Sequence, residues 1–207
     1  MLKNKNGFTL AEVMVTLVVL GVLASIVLPT ISKARPNKNK AMFKKAYYVA
    51  ERIVYELVND DDLYPSSSNT SGLDNTREVI YLNQQYGSDT DDEDNKKKKF
   101  CELFARKVNT TTDTPSCTAD NAAFTGVPSF VTTDGVAWYM PYSKFDSTQT
   151  IYVDVNGEEQ PNCSNGYESY VDCPNPDRFS IKVKADGKLF VEGPKEQEYL
   201  STNNTLR

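Results

Sequence analysis

Few residues in this chain can start chemistry. No histidine occurs among its 207 residues, which removes histidine triads, histidine general bases and most zinc hydrolase sites at once. What remains is one oddly placed carboxylate, 4 cysteines and an oxygen-rich loop. The carboxylate is Glu12, the single charge in an apolar run from Phe8 to Leu28. In a membrane helix such a group costs about 2.5–3.5 kcal/mol on insertion scales, so it is a functional candidate by default. Gly7 stands just before the run and leaves room for close approach to the Gly7–Phe8 bond. Cutting that bond would create an α-amino cation one helical turn from Glu12. The helix dipole also favours an acid there.

The oxygen-rich loop carries Asp154, Asn156 and Glu158 around Gly157, with Asp172 and Asp177 further on. Together these can form a calcium site. The simpler reading is an Asn-Gly turn whose side chains bond their own backbone; otherwise no cofactor is expected. The cysteines, Cys101, Cys117, Cys163 and Cys173, all lie beyond the apolar run and lack C-x-x-C spacing. Outside the cytoplasm two disulfides are the default. Of the possible pairings, Cys101–Cys117 with Cys163–Cys173 is favoured, because each encloses one local, turn-rich loop.

These residues need elements to hold them. A helix over Phe8–Leu28 would span ~30 Å, a bilayer's hydrocarbon core. It exceeds the roughly 7–15 residues of a cleaved signal's apolar region. Pro29 removes one ladder bond and bends the helix, and Pro36 predicts a break near 33–38. Met42, Ala46, Val49, Ile53 and Leu57 then mark one face of an amphipathic helix. Thr76–Tyr86 reads as a short helix, and acids before Lys96–Lys99 lead into another with Phe100, Leu103, Phe104 and Val108 on its apolar face. From 128 to 192 the pattern is β. Asp134-Gly135 predicts a type I′ hairpin, and Phe179, Ile181 and Val183 alternate with polar residues. The expected fold is α+β: a long N-terminal helix, then an antiparallel sheet of four or five strands with loops and short helices. The expected segments are 1–7 leader, 8–31 membrane helix, 38–60 amphipathic helix, 61–127 loops with short helices, 128–193 sheet and 194–207 polar tail.

Lys3 and Lys5, then Gly7-Phe8-Thr9-Leu10-Ala11-Glu12-Val13, then an apolar helix with Pro29, resemble the N-terminal signal of type IV pilins and type II secretion pseudopilins. The resemblance implies that a prepilin peptidase cuts after Gly7 and that the amine of Phe8 is methylated. It implies that Glu12 registers subunits in a filament and that Pro29 kinks the helix. The partners it implies are other pilin or pseudopilin subunits, an assembly platform in the inner membrane, and the membrane itself. The N-terminus would lie in the cytoplasm and the body outside. Pro36 departs from the family's continuous spine. A body with segment 154–162 and Asp177-Arg178-Phe179 also resembles a loop common in pilin-like proteins. The formal net charge of −5 argues against nucleic acid as a general partner. Without histidine or a nucleophile motif, no enzyme is expected. The other reading is a membrane-tethered adhesin that never polymerises.

Overall fold

The computed structural model describes residues 9–33, 37–65, 72–74, 79–81, 84–86, 93–111, 113–124, 126–157, 159–164 and 173–201. The chain forms two compact units, Met1–Lys38 and Asn39–Arg207. In the first, α1 spans Leu10–Lys33. Its side chains are exposed from Leu10 to Ser25, including Met14, Leu17, Val18 and Leu20. Among the described residues no helix is long and apolar enough to cross a membrane; the side chains of α1 are described only as far as Ser25. The assigned helix continues through Pro29, and α2 begins at Lys38. Pro36 lies outside the described residues.

The second unit is built on α2, Lys38–Val58, whose buried side is Phe43, Ala46, Ala50, Ile53, Val54 and Leu57. The expected stripe was displaced by part of a turn: Met42 and Val49 are only partly buried, and Phe43 takes the central place. Phe43 stacks on Phe179 with ring centroids 4.3 Å apart. That contact joins α2 to a five-stranded antiparallel sheet in chain order: β3 Phe130–Val131, β4 Ala137–Tyr139, β5 Gln149–Asp154, β6 Arg178–Val183 and β7 Leu189–Phe190. Period-two alternation sends Phe179, Ile181 and Val183 inward from β6 and Ile151 and Val153 from β5. The opposite face carries Tyr139, Tyr152, Asp154, Arg178, Ser180 and Lys182.

Helix α3, Glu93–Ala105, brings Phe104 to Trp138, with ring centroids 5.4 Å apart, and Phe100 to Phe145, 4.7 Å apart. Two of its acids, Glu93 and Asp94, lie in the first turn, where the helix dipole favours them. Lys99 belongs to the same run as the solvated lysines yet is buried, its Nζ 4.2 Å from the centre of the Tyr64 ring. Burial draws its ammonium down to about 8. The Cys101–Cys117 and Cys163–Cys173 disulfides are both formed.

Three expectations need correction. Thr76–Tyr86 is not a helix: β1 Val79–Tyr81 pairs antiparallel with β2 Gln84–Tyr86. β-branched and aromatic residues favour strand, and an isolated helix of that length is marginal. The Asp134-Gly135 turn is not type I′, which needs positive φ at both central residues. Only Gly135 is positive, at 87°, and its amide closes on the Thr132 carbonyl. The Thr132 hydroxyl donates to Asp134 at 2.6 Å. The segment after Gly193 is not a loose tail either. It forms α4, Pro194–Ser201, with Glu196 and Tyr199 buried. Proline at the first helical position and the Tyr199 anchor account for it.

Because Phe43 ties helix to sheet, Phe43→Ala should lower the unfolding free energy by about 3–5 kcal/mol. Urea titration reads this directly. A change near zero would show that the ring is not part of the core.

Candidate functional site

Two groups of candidate residues lie in the two units. In the first, Thr9 precedes α1 and Glu12 is its third helical residue. The Thr9 amide and hydroxyl both donate to Glu12 Oε2 at 2.8 Å, and the Glu12 amide donates back to Thr9 Oγ1 at 3.3 Å. This reciprocal pair satisfies backbone donors that the first turn would otherwise leave unpaired. The chemical consequence is positional: the carboxylate is held at the helix start, not along its flank. Thr9 was missed in the sequence, although Thr-x-x-Glu before an apolar run signals this cap. Further along, Thr16 Oγ1 donates to the Val13 carbonyl at 2.9 Å and Ser25 Oγ to the Val22 carbonyl at 2.7 Å. The hydroxyls of Thr16 and Ser25 therefore find partners within the helix, as an apolar surrounding requires. Gly7 and Phe8 lie outside the described residues.

In the second unit, Asp154 ends β5 and Arg178 begins β6, and the two are register partners. The Arg178 guanidinium donates to Asp154 Oδ2 at 2.8 Å and to Asn162 Oδ1 at 3.2 Å. Its far side lies 5.1 Å from the centre of the Phe124 ring. Asp177 is fully buried. Its two oxygens accept the amides of Asn162 and Cys163, at 2.8 and 2.7 Å. The Asp177 carbonyl in turn accepts the Val155 amide at 2.9 Å. Asp177 is thus a clamp between the end of β5, the start of β6 and the loop that leads to the Cys163–Cys173 disulfide. Burial pushes the Asp154 carboxyl upward; Arg178 opposes that rise and the Asp177 charge adds to it.

Of the five residues expected around a calcium ion, the structure brings Asp154, Asn156 and Asp177 to one loop cluster, while Glu158 and Asp172 lie outside the described residues. Asp177 has both oxygens committed to backbone amides. Asp154 Oδ1 and Asn156 Oδ1 are buried with no hydrogen-bond partner among the described residues. Such orphaned oxygens are costly unless something donates to or binds them. Arg178 was not singled out in the sequence; its position beside Asp177 and across from Asp154 was the only signal. Among the described residues, no group of three or more acidic or cysteine side chains is placed to hold a metal.

The ion pair makes a pH-dependent prediction. In Arg178→Met the Asp154 carboxyl loses its cation, so its folded value rises further above the unfolded one, about 3.9. Below that value the acid is neutral in both states and costs nothing. As pH rises toward and through the folded value, the unfolded state ionises more readily and stability falls. Chemical denaturation at stepped pH should therefore show a steeper loss between pH ~4 and ~7 for Arg178→Met than for the Asp154→Asn, Arg178→Met double variant. Parallel curves would refute the coupling.

In comparison with known proteins, the family match falls in the first unit. Residues 2–28 match the family described as the prokaryotic N-terminal methylation motif. The type II secretion system core protein G of Dickeya chrysanthemi is 36% identical over 72 residues, 34% of this chain and 46% of that protein. The protein of the same name from Aeromonas hydrophila is 42% identical over 74 residues, 35% of this chain and 49% of its own. That from Pectobacterium carotovorum subsp. carotovorum is 38% identical over 66 residues, 31% and 41%. The chain thus spans less than half the length of these relatives. No solved structure matches it. Through its N-terminal segment the chain is therefore similar to proteins that carry the prokaryotic N-terminal methylation motif, type II secretion core proteins G among them.

Proposed function

We propose that the chain is a structural subunit of a filament, either a type II secretion pseudopilus or a type IV pilus-like fibre. The observation that carries this is a helix with apolar side chains exposed along its described length, headed by a capped carboxylate. The relatives named for type II secretion favour the pseudopilus. In this reading the leader holds the precursor in the inner membrane, N-terminus in the cytoplasm, as a single span. Prepilin peptidase cuts after Gly7, the Phe8 amine is methylated, and an assembly platform delivers α1 into a helical core. Pro29 bends that helix. Lipid tails cover leucine as well as another helix does, so packing and polar pairs must give the register. Glu12 supplies it by neutralising a Phe8 amine. No catalytic step is assigned to the chain.

Glu12→Gln tests this without disturbing the helix start, since glutamine also serves in the cap with Thr9. Membrane insertion should be unchanged, while the yield of sheared filaments should fall at least about tenfold, the size of one lost charge-assisted bond. Normal filament yield would end the proposal. A tethered adhesin, by contrast, would reach the cell surface without filaments in either protein.

We also propose that the loop after β5 takes a calcium ion, which would supply structural stabilisation and no chemistry. Asp154 Oδ1 and Asn156 Oδ1 fit such a role, as buried acceptors without donors. Asp177 does not ligate here; it holds the loop through its two amide bonds. Calcium at ~100 times its dissociation constant should stabilise the folded state by about 2.7 kcal/mol. Thermal unfolding with calcium and then with chelator reads it, and identical melting temperatures would remove the ion from this account.

A further inference from the structure

The outer face of the sheet holds a cavity of about 520 Å³ that neither the filament reading nor the calcium loop uses. That volume lies within the range of about 300–1,000 Å³ common for small-molecule sites. Phe124 and Tyr152 form its aromatic wall, edge to face with centroids 5.1 Å apart. Four charged side chains line it, two cations and two anions: Arg178, Lys182, Glu192 and Glu196. Equal numbers of each sign give no net charge with which to select an ion. What they offer is a set of donors and acceptors around an aromatic surface.

Glu196 is the decisive group. It is only 3% exposed, yet its Oε2 has no hydrogen-bond partner among the described residues. The other oxygen accepts the Ser180 amide at a long 3.5 Å. That long bond is a weak hold on Oε1, and the Glu196 side chain lines the cavity. A Cβ at Gly193 would lie 1.9 Å from Oε2 and 2.5 Å from Cδ, so glycine there makes room for the carboxylate itself. Lys182 Nζ donates to Thr150 Oγ1 at 3.0 Å and has three donors in all.

We infer that this cavity binds a neutral, polyhydroxylated molecule, a mono- or disaccharide, with hydroxyls donating to Glu196 and accepting from Lys182 while a sugar face packs against Phe124 and Tyr152. A buried unpaired carboxylate oxygen calls for an O–H donor, and an aromatic wall suits the C–H face of a pyranose.

The test uses the full chain in a zwitterionic, sugar-free detergent. Saturation-transfer NMR with D-galactose, D-mannose, N-acetyl-D-glucosamine and lactose should show transfer to at least one of them. Acetate and ethylammonium are the charged controls. Glu196→Gln and Lys182→Met should each weaken binding of that sugar roughly tenfold with the melting temperature held. If Glu196→Gln does not fold, Lys182→Met alone decides: a tenfold loss supports the site and unchanged binding overturns it. Transfer to no sugar, or to the charged controls alone, also overturns it.

Discussion

An apolar helix exposed from Leu10 to Ser25 has no stable place in water, and that constraint governs the first unit. Leu10, Met14, Leu17, Val18 and Leu20 stand exposed on turns that face different directions. A soluble amphipathic helix would bury one stripe and leave a polar one. Here the only polar groups in the described stretch turn back on the helix itself. Thr16 and Ser25 bond carbonyls one turn earlier, and Thr9 with Glu12 closes the first turn. The helix is therefore prepared for a surrounding that offers no hydrogen bonds, whether lipid or other helices of its kind.

Glu12 is compatible with both the cap and a second role. Both Thr9 bonds fall on one carboxylate oxygen, Oε2. A partner amine approaching Oε1 would not have to displace them. The cap also fixes where the charge sits along the axis, and a charge fixed along an axis can define a register between parallel helices. Burying the pair would then be favourable only when both partners arrive, because either one alone in hydrocarbon is costly.

Much of the architecture was legible because it rests on periodicity. The alternation of Phe179, Ile181 and Val183 matched the observed inward face of β6, and the helical spacing from Met42 to Leu57 located α2, although Phe43 outranked Met42 once the sheet was in place. Residues 79–86 were misread because short apolar runs carry no decisive period, and strand pairing is a tertiary matter. Gly193-Pro194 was read as an end when it was a helix start. At the candidate site, the composition of the oxygen-rich loop was visible, but not that Asp177 satisfies two backbone amides. That depends on the loop passing over the start of β6, which residue spacing cannot show. Lys99 is the same lesson: four consecutive lysines look solvated, but a helix turns 100° per residue, so one of four can face the Tyr64 ring.

The two units are constrained in different ways, and this accounts for where identity can be read. In the proposed reading the helix must suit a protease at Gly7, a cap at Thr9 and Glu12, and an apolar environment beyond, which restricts most of its residues. The body must only bury one side of α2 against a sheet, which many sequences do. Its outer sheet face is freer still, because nothing in the core depends on Thr150, Lys182 or Glu192. Yet this face holds Glu196, a buried carboxylate with an unpaired oxygen, where a neutral side chain would fold more easily. Local inconsistency of that kind concentrates at functional positions. The place to look for what distinguishes this chain from others with a similar N-terminal helix is therefore the outer face of the sheet, between Phe124 and α4.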